Sequence, residues 1–270
     1  MDAPNTIELP TTRMIARIDG PIGWMIFNNQ ERRNAVSLDM WEAMPLILDR
    51  FEQDPAVRVI VLRGAGEKAF VSGADISQFE QQRSSPETVA HYESVAEKAS
   101  KRLSGTSKPT IAMIQGFCIG GGVGIAVGCD LRIAGQGAKF GVPASRLGLG
   151  YGPAGVKKLM DLVGPAHVKE IFYTSRHFNA AEALAMGLVN RVLPEAVLEA
   201  YVRAYGDMIA ENAPLTMQAL KRTVEELLRT SPDADLALCE RLVQGCFDSE
   251  DYVEGRRAFM EKRRPVFKGR

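Results

Sequence analysis

A run of three glycines at residues 120–122 constrains this chain most, because it joins a predicted buried strand, Thr110–Ile114, to an apolar helical stretch. Glycines at this junction leave backbone N–H groups unobstructed at a helix start, where negative charge is stabilised. A second glycine-containing turn, residues 70–76, follows another predicted buried strand, residues 57–62. Two such turns predict a pair of backbone donors, the arrangement of an oxyanion hole.

Strand-forming and helix-forming segments alternate along the first two thirds of the chain. Residues 14–18 and 24–27 flank a turn-rich segment and predict an opening β-hairpin. Strand, loop and helix then repeat as ββα or βαβ units, which is typical of a layered α/β domain. The last third predicts amphipathic helices, so we divide the chain into a core, residues 1–193, and a helical C-terminal module, residues 194–270.

Two local features refine this prediction. Ser37 is the expected N-cap of a helix, and Pro45 inside that helix predicts a kink or a later start. The polar segment at residues 78–85 lies beside the first glycine turn and is interpreted either as a mobile lid or as a solvated connector.

Composition narrows the function classes. Lys and Arg together number 33, as do Asp and Glu, so no net field attracts nucleic acid or an anionic membrane. The sequence has neither a signal-like start nor an apolar run of about 18 residues, which predicts a cytoplasmic protein outside the membrane. The four cysteines and three histidines lack metal-ligand spacing, so we expect reduced thiols and no metal site.

The two donor turns favour one kind of chemistry. Backbone donors in an apolar surrounding, without a nucleophile–base pair, suit stabilisation of a thioester enolate better than hydrolysis through a covalent intermediate. Five ordered motifs then resemble the crotonase superfamily, which includes the enoyl-CoA hydratases and isomerases, over nearly the whole chain. These motifs are residues 68–76, 116–124, 129–134, 140–143 and 180–189.

This resemblance implies a crotonase-like spiral ββα superhelix, with helical C-terminal residues that form a homotrimer or a dimer of trimers. It implies an acyl-CoA substrate of the kind found in fatty acid metabolism, with coenzyme A as part of the substrate and no permanently bound cofactor. The backbone N–H groups of Ser72 and Gly121 are expected to hold the thioester oxygen. The side chains of Asp75 and Asp130 are expected to support loop and strand-end architecture.

The resemblance also assigns contacts with coenzyme A. The segment around Arg33 is similar to the loop that grips the pantetheine and adenine, and the segment around Phe259 resembles a tail that completes the adenine pocket, often of a neighbouring subunit. The assigned residues are Arg33, Ala35, Lys68, Ala69, Phe70, Ala74, Asp75, Ile76, Phe259 and Lys262.

Two positions depart from the hydratase pattern of this superfamily. Gly124 and Ala144 stand where the hydratases carry the glutamates that activate and protonate water. General acid–base assistance contributes two to four powers of ten. Tyr151 is similar to a tyrosine of methylmalonyl-CoA decarboxylase-like members, although these also carry a histidine where this chain has Ala74. Decarboxylation needs chiefly enolate stabilisation, so we favour a glutamate-independent lyase such as a decarboxylase.

Three alternatives stay open at this point. The first is an enoyl-CoA hydratase with a relocated acid/base, for which Tyr151 and Glu80 are the candidates. The second is a non-catalytic acyl-CoA-binding protein. The third, a nucleotide-binding Rossmann domain, is disfavoured because the G-x-G-x-x-G spacing and the following acidic residue are absent from the sequence.

Overall fold

Two β-sheets and nine helices make up the part of the chain that this computed structural model describes, residues 5–75, 86–229 and 234–270. The strands are β1 (Asn5–Ile7), β2 (Met14–Asp19), β3 (Ile22–Phe27), β4 (Val59–Gly64), β5 (Ala69–Val71), β6 (Thr110–Ile114), β7 (Phe117–Ile119), β8 (Leu131–Gly135), β9 (Lys139–Gly141), β10 (Phe178–Asn179) and β11 (Arg191–Leu193). The helices are α1 (Leu38–Gln53), α2 (Pro86–Ser104), α3 (Gly121–Val127), α4 (Pro153–Thr174), α5 (Ala180–Ala185), α6 (Glu195–Ala210), α7 (Pro214–Leu227), α8 (Leu236–Phe247) and α9 (Glu250–Met260).

The strands are distributed between a large and a small sheet. The large sheet has the order β1-β2-β3-β4-β6-β8-β11, antiparallel from β1 to β3 and parallel from β3 to β11. The small sheet has the order β10-β9-β7-β5, in which β5, β7 and β9 are parallel. Along the chain, three parallel strands of the large sheet, β4, β6 and β8, are each followed by a short strand of the small sheet and then by a helix. This repeat confirms the predicted α/β fold built from ββα units.

Apolar side chains fill the space on both faces of the large sheet. On one face the sheet packs against α1, α2, α3 and the small sheet, with Phe27, Phe70 and Phe140 buried in that layer. On the other face Trp24 and Val61 pack against Leu198 and Val202 of α6. Because both faces of the central strands are covered, β4 and β6 consist almost entirely of buried apolar residues.

The predicted hairpin is confirmed, whereas the predictions for helix α1 are confirmed only in part. The hairpin forms between β2 and β3, with Asp19 paired to Ile22 across the turn. Helix α1 begins directly after Ser37, whose backbone is extended but whose side chain makes no capping hydrogen bond. The helix continues past Pro45, so a later start is wrong: buried residues such as Met40 and Phe51 hold both halves of α1 against the core.

The C-terminal residues divide into two parts by what they contact. Helix α6 packs on the large sheet, so the boundary predicted at residue 194 falls before a helix that belongs to the packed core. Helices α7, α8 and α9 pack mainly against one another, and Lys221 of α7 joins them to the sheet through Asp130, 2.9 Å from its ammonium nitrogen. Within the described ranges, no helix combines the length and apolarity that a membrane span requires.

Candidate active site

The two predicted donor turns lie side by side in the structure. Each leaves the carboxyl end of a small-sheet strand, β5 or β7, and these strands are parallel neighbours. A Cβ built on Gly121 would lie 3.9 Å from the carbonyl carbon of Gly73 and 4.0 Å from the nitrogen of Ala74. The fold therefore brings backbone from residues 72–75 and from residues 120–122 to one place.

The second turn is shaped by two neighbouring glycines with different roles. Gly120 has φ 54°, and its N–H donates to the carbonyl oxygen of Gly141 at 2.8 Å. The N–H of Gly121, the first residue of α3, has no acceptor within the helix. A Cβ on Gly122 would lie 2.2 Å from the Val71 carbonyl oxygen, so a glycine is needed there for α3 to approach β5 this closely.

The first turn assigns its donors differently from the sequence prediction. The N–H of Ser72 donates to the Arg33 carbonyl oxygen at 3.2 Å, and its hydroxyl donates to the Arg32 carbonyl oxygen at 3.1 Å. This hydrogen bond disfavours the prediction that the Ser72 N–H holds a thioester oxygen, because the group already has an acceptor within the protein. Ser72 ties the turn to the neighbouring loop instead.

Ala74 supplies the available N–H of the first turn. It lies in a parallel bridge with Val36, formed by Val36 N–H donating to Gly73 at 2.8 Å and Asp75 N–H donating to Val36 at 3.0 Å. In a parallel bridge the flanking residues make these bonds, which leaves the N–H of Ala74 facing away. Within the described residues it donates to no acceptor. The sequence does not indicate whether Ser72 or Ala74 has the available N–H. The two groups face different ways because Gly73, with φ 114°, turns the chain between them.

The loop that holds this turn is itself fixed by a buried amide. Asn34 is only 1% exposed, and its Nδ2 donates to the carbonyl oxygens of Ala65 and Ala69 at 3.0 and 2.7 Å. Its Oδ1 accepts from the backbone N–H of Asn29 at 3.1 Å. Ala35, assigned to coenzyme A binding, follows directly and is buried. The loop therefore presents fixed carbonyl oxygens to Ser72 and to the turn that follows.

Gly124 and Ala144, the two positions that the family resemblance assigned to catalytic glutamates, lie in the first turns of two short helical segments. Gly124 lies in the first turn of α3, and a Cβ built on it would meet no described heavy atom within 4 Å. Ala144 is buried and begins a 3₁₀ turn, Ala144–Leu147. Neither residue supplies a carboxylate or any other group that titrates.

Tyr151 lies just before α4 and is partly buried, with 37% of its surface exposed. Its ring makes an edge-to-face contact with Phe172 of α4, at 4.9 Å between ring centroids. Burial raises the pKa of the Tyr151 phenol above its usual value. The phenol is therefore protonated at neutral pH, which suits a hydrogen-bond or proton donor and not a general base. Its place next to the two N–H groups stays a prediction.

The candidate residues for the coenzyme A nucleotide form a small cationic and aromatic surface. The guanidinium carbon of Arg33 lies 5.1 Å from the ring centroid of Phe117, and the Phe117 N–H donates to the Lys68 carbonyl oxygen at 3.1 Å. His177 contacts the same Phe117 ring edge to face at 5.9 Å. The sequence prediction did not include His177, which reaches this surface only through the pairing of β10 with β9. Among the described residues, neither Arg33 nor Lys68 forms an ion pair.

The remaining predicted contacts are distributed over the rest of the chain. Ala69 and Phe70 are buried in β5, where they support the first turn. Phe259 is 83% exposed on α9 beside a groove of about 1010 Å³ between α7, α8 and α9, and Lys262 follows that helix. No contact in the described part of the chain joins these two to Arg33. Ile76, together with Glu80 and the rest of residues 78–85, lies outside the described residues.

Asp130, which the family resemblance assigned to strand-end architecture, makes hydrogen bonds that fit this role. Asp130 accepts hydrogen bonds from the N–H and hydroxyl of Thr110 at 2.7 and 2.8 Å, so it fixes the ends of two strands. Burial raises the pKa of the Cys118 and Cys129 thiols, which keeps them protonated. In the described ranges, no cluster of three or more His, Cys, Asp or Glu residues has the arrangement of a metal site.

Comparison with known proteins agrees with this fold. A profile of the family described as enoyl-CoA hydratase/isomerase matches residues 17–270. The chain is 33% identical to the short-chain-enoyl-CoA hydratase of Clostridium acetobutylicum over 251 residues, covering 93% of this chain and 95% of that one. It is also 33% identical to the (E)-benzylidenesuccinyl-CoA hydratase of Thauera aromatica, over 255 residues that cover 93% and 97% of the two chains.

Solved structures give the same result. A crystal structure from Hyphomonas neptunium, described as a putative enoyl-CoA hydratase/isomerase family protein, superposes with a TM-score of 0.91 at 35% identity, covering 97% of this chain and all of that one. An enoyl-CoA hydratase/carnitine racemase from Magnetospirillum magneticum superposes with a TM-score of 0.90 at 34% identity, covering 96% and 97% of the two chains.

Proposed function

The chain belongs to the enoyl-CoA hydratase/isomerase family, and we propose that it stabilises an acyl-CoA enolate between the backbone N–H groups of Ala74 and Gly121. The observation that carries this proposal is the 4.0 Å approach of the Gly121 Cβ position to the Ala74 nitrogen. Among the described residues, the N–H groups of Ala74 and Gly121 donate to no acceptor. Donors that are fixed before the reaction stabilise charge developing on a thioester oxygen without reorganisation.

Within this family, we propose that the reaction is a glutamate-independent lyase step such as decarboxylation. The bond between the α-carbon and the substrate carboxylate breaks, and its electron pair moves into the thioester to give the enolate. Carbon dioxide leaves, and the α-carbon then takes up a proton. These reaction steps require no base, which agrees with the absence of a carboxylate at Gly124 and Ala144. The protonated phenol of Tyr151 is suited to donate the proton to the α-carbon.

Hydration is the second candidate, and the names of the relatives favour it. The Clostridium and Thauera proteins are both named as hydratases of CoA thioesters. Hydration needs one group to activate water and another to protonate the α-carbon. The raised pKa of Tyr151 disfavours it as the base. A hydratase would therefore need a base at another place in the chain, for which Glu80 is the sequence candidate.

Product analysis distinguishes these candidates. The purified protein is incubated with crotonyl-CoA, methylmalonyl-CoA and ethylmalonyl-CoA at high enzyme concentration, and the products are identified by mass spectrometry. Loss of carbon dioxide from a malonyl-type thioester is expected. Addition of water to crotonyl-CoA alone would contradict the decarboxylase proposal. Tight binding of every thioester without turnover would favour a non-catalytic acyl-CoA-binding protein.

Substitution of Tyr151 tests the proton-donor role. Tyr151→Phe keeps the ring contact with Phe172 but removes the phenol, so we expect kcat to fall about a hundredfold, within the usual range for general acid catalysis. Tyr173→Phe is the matched control, because Tyr173 is an exposed tyrosine on the same helix as Phe172. An unchanged kcat in Tyr151→Phe would remove this residue from the mechanism.

A further inference from the structure

A buried pair of polar aromatic side chains lies behind the first donor turn. The indole Nε1–H of Trp41 on α1 donates to the hydroxyl of Tyr92 on α2 at 2.9 Å, and both residues are only 6% exposed. The Tyr92 hydroxyl in turn donates to the carbonyl oxygen of Val36 at 3.5 Å. These contacts form a chain of hydrogen bonds from two helices to one backbone carbonyl.

That carbonyl is the one that fixes the donor turn. The Val36 oxygen also accepts the N–H of Asp75 at 3.0 Å, and the Val36 N–H donates to Gly73 at 2.8 Å. These two bonds lie on either side of Ala74 and set the orientation of its peptide group. Any displacement of Val36 therefore moves the N–H of Ala74.

The hydroxyl of Tyr92 contributes directional hydrogen bonds in addition to the packing of the ring. A phenylalanine at this position would fill nearly the same buried volume, so what the hydroxyl adds is hydrogen bonding, including the bonds with Trp41 and Val36. Buried hydroxyl groups are costly without partners, and within a low-dielectric core hydrogen bonds in series strengthen one another. The Trp41 indole donates to the hydroxyl oxygen, and the hydroxyl donates to the Val36 carbonyl oxygen.

We propose that Tyr92 is a positioning residue, which acts through the Val36 carbonyl to hold the N–H of Ala74 toward the thioester oxygen. The proposal rests on the proposed function of the Ala74 and Gly121 pair. Donor geometry matters here because a misplacement of about 1 Å in an active site can cost a hundredfold in rate. Trp41 belongs to the same network, one contact further from the site.

The test measures polarisation of the bound thioester carbonyl, which packing alone does not change. Crotonyl-CoA labelled with ¹³C at its carbonyl is bound to the intact protein, and the C=O stretching frequency is read from the isotope-edited difference spectrum. In the wild type we expect a shift to lower frequency. In Tyr92→Phe we expect a smaller shift, with kcat on the active thioester reduced about tenfold and KM little changed.

Two companion variants make this test specific. Trp41→Phe removes the donor that orients the Tyr92 hydroxyl, so it is expected to reduce the carbonyl shift less than Tyr92→Phe does, and it carries the test if Tyr92→Phe fails to fold. Tyr201→Phe is the control for loss of a phenol, because Tyr201 stacks on Tyr205 of α6, on the opposite face of the large sheet.

The outcomes separate this proposal from the proposed function. A coenzyme A thioether without the carbonyl oxygen is expected to bind wild type and Tyr92→Phe equally, which shows that the rest of the site is intact. A wild-type carbonyl shift that persists unchanged in both Tyr92→Phe and Trp41→Phe would overturn the positioning role alone. Absence of any shift in the wild type would overturn the proposed oxyanion hole and, with it, the role of Tyr92.

Discussion

Two consecutive residues near the site hold a backbone conformation that only glycine adopts without cost. Arg33 and Asn34 have φ values of 52° and 58°, in the left-handed region. Asparagine tolerates this region better than most residues, and here its amide is also bonded on three sides. The strained conformation serves the neighbouring turn. The carbonyl oxygen of Arg33 accepts a hydrogen bond from the N–H of Ser72, so the strained loop positions the donor turn.

Asn34 is therefore expected to be costly to replace. Asn34→Ala removes the hydrogen-bond partner of three backbone groups, one in a buried bond and two in partly buried bonds, and adds left-handed strain. We therefore expect the free energy of unfolding to fall by about 4 kcal/mol. Urea denaturation followed by circular dichroism measures this loss. Asn34→Gly loses the same hydrogen bonds without the strain and should recover about 1 kcal/mol. Equal stabilities of the two variants would show that the left-handed backbone stores no strain.

Gly121 allows one backbone donor to be deleted with little other change. Proline is favoured at the first residue of a helix, and a Cβ at this position would make only ordinary contacts at 3.9 and 4.0 Å. Gly121→Pro removes the N–H, so kcat is expected to fall between a hundredfold and a thousandfold. Gly121→Ala retains the N–H and is the matched control. Equal rates for the two variants would exclude this N–H from the reaction.

At the scale of elements, the site depends on how closely helix α3 approaches strand β5. Gly122 makes this approach possible, since it lies against the carbonyl group and the Cβ of Val71. The predicted strand–glycine–helix pattern anticipated this unit correctly. The predicted choice of Ser72 as donor within the first turn is disfavoured, because its N–H donates to Arg33 and the bridge to Val36 takes the N–H of Asp75.

Two glycines of the same helix provide an internal comparison. A Cβ at Gly122 would lie 2.2 Å from a backbone oxygen, so Gly122→Ala must displace α3 and is expected to lower the free energy of unfolding by about 2 kcal/mol. A Cβ at Gly124 meets nothing within 4 Å of it among the described residues. Gly124→Ala should therefore leave stability unchanged or raise it by about 0.5–1 kcal/mol. The reverse order of these two stabilities would contradict the packing described for α3.

For the whole molecule, the unusual feature is the apolar surface of the C-terminal helices. Leu220 and Leu227 of α7 are 65% and 67% exposed, and Phe259 of α9 is 83% exposed. Contiguous apolar surface of this kind marks contact sites for other proteins. The family resemblance predicts a homotrimer or a dimer of trimers, in which these side chains would be covered by a neighbouring subunit. The oligomeric state stays a prediction.

Native mass spectrometry tests this assembly directly. We expect a species of about three or six times the 29.5 kDa chain mass. Leu220→Glu places a charge on the apolar groove and is expected to shift the population toward monomers. Leu46→Glu on α1 is the control, because Leu46 is exposed outside the C-terminal helices. A monomeric wild-type protein would contradict the predicted assembly.

The sequence alone determined the α/β class, the opening hairpin and the place of the two donor turns. These follow from hydrophobic periodicity and from glycines, which act locally along the chain. The sequence also shows directly that Gly124 and Ala144 carry no carboxylate, because this depends only on the type of residue. The predicted departure from the hydratase pattern rests on these two residues and stays a prediction.

Tertiary structure decided what depends on residues far apart in the chain. The proposal of Ala74 as donor in place of Ser72 rests on backbone bonds to Arg33 and Val36, about forty residues earlier. The reach of Tyr92 to Val36 spans 56 residues and crosses two helices. Backbone N–H groups look identical in a sequence; only the folded chain determines which ones already have acceptors and which remain available to a substrate.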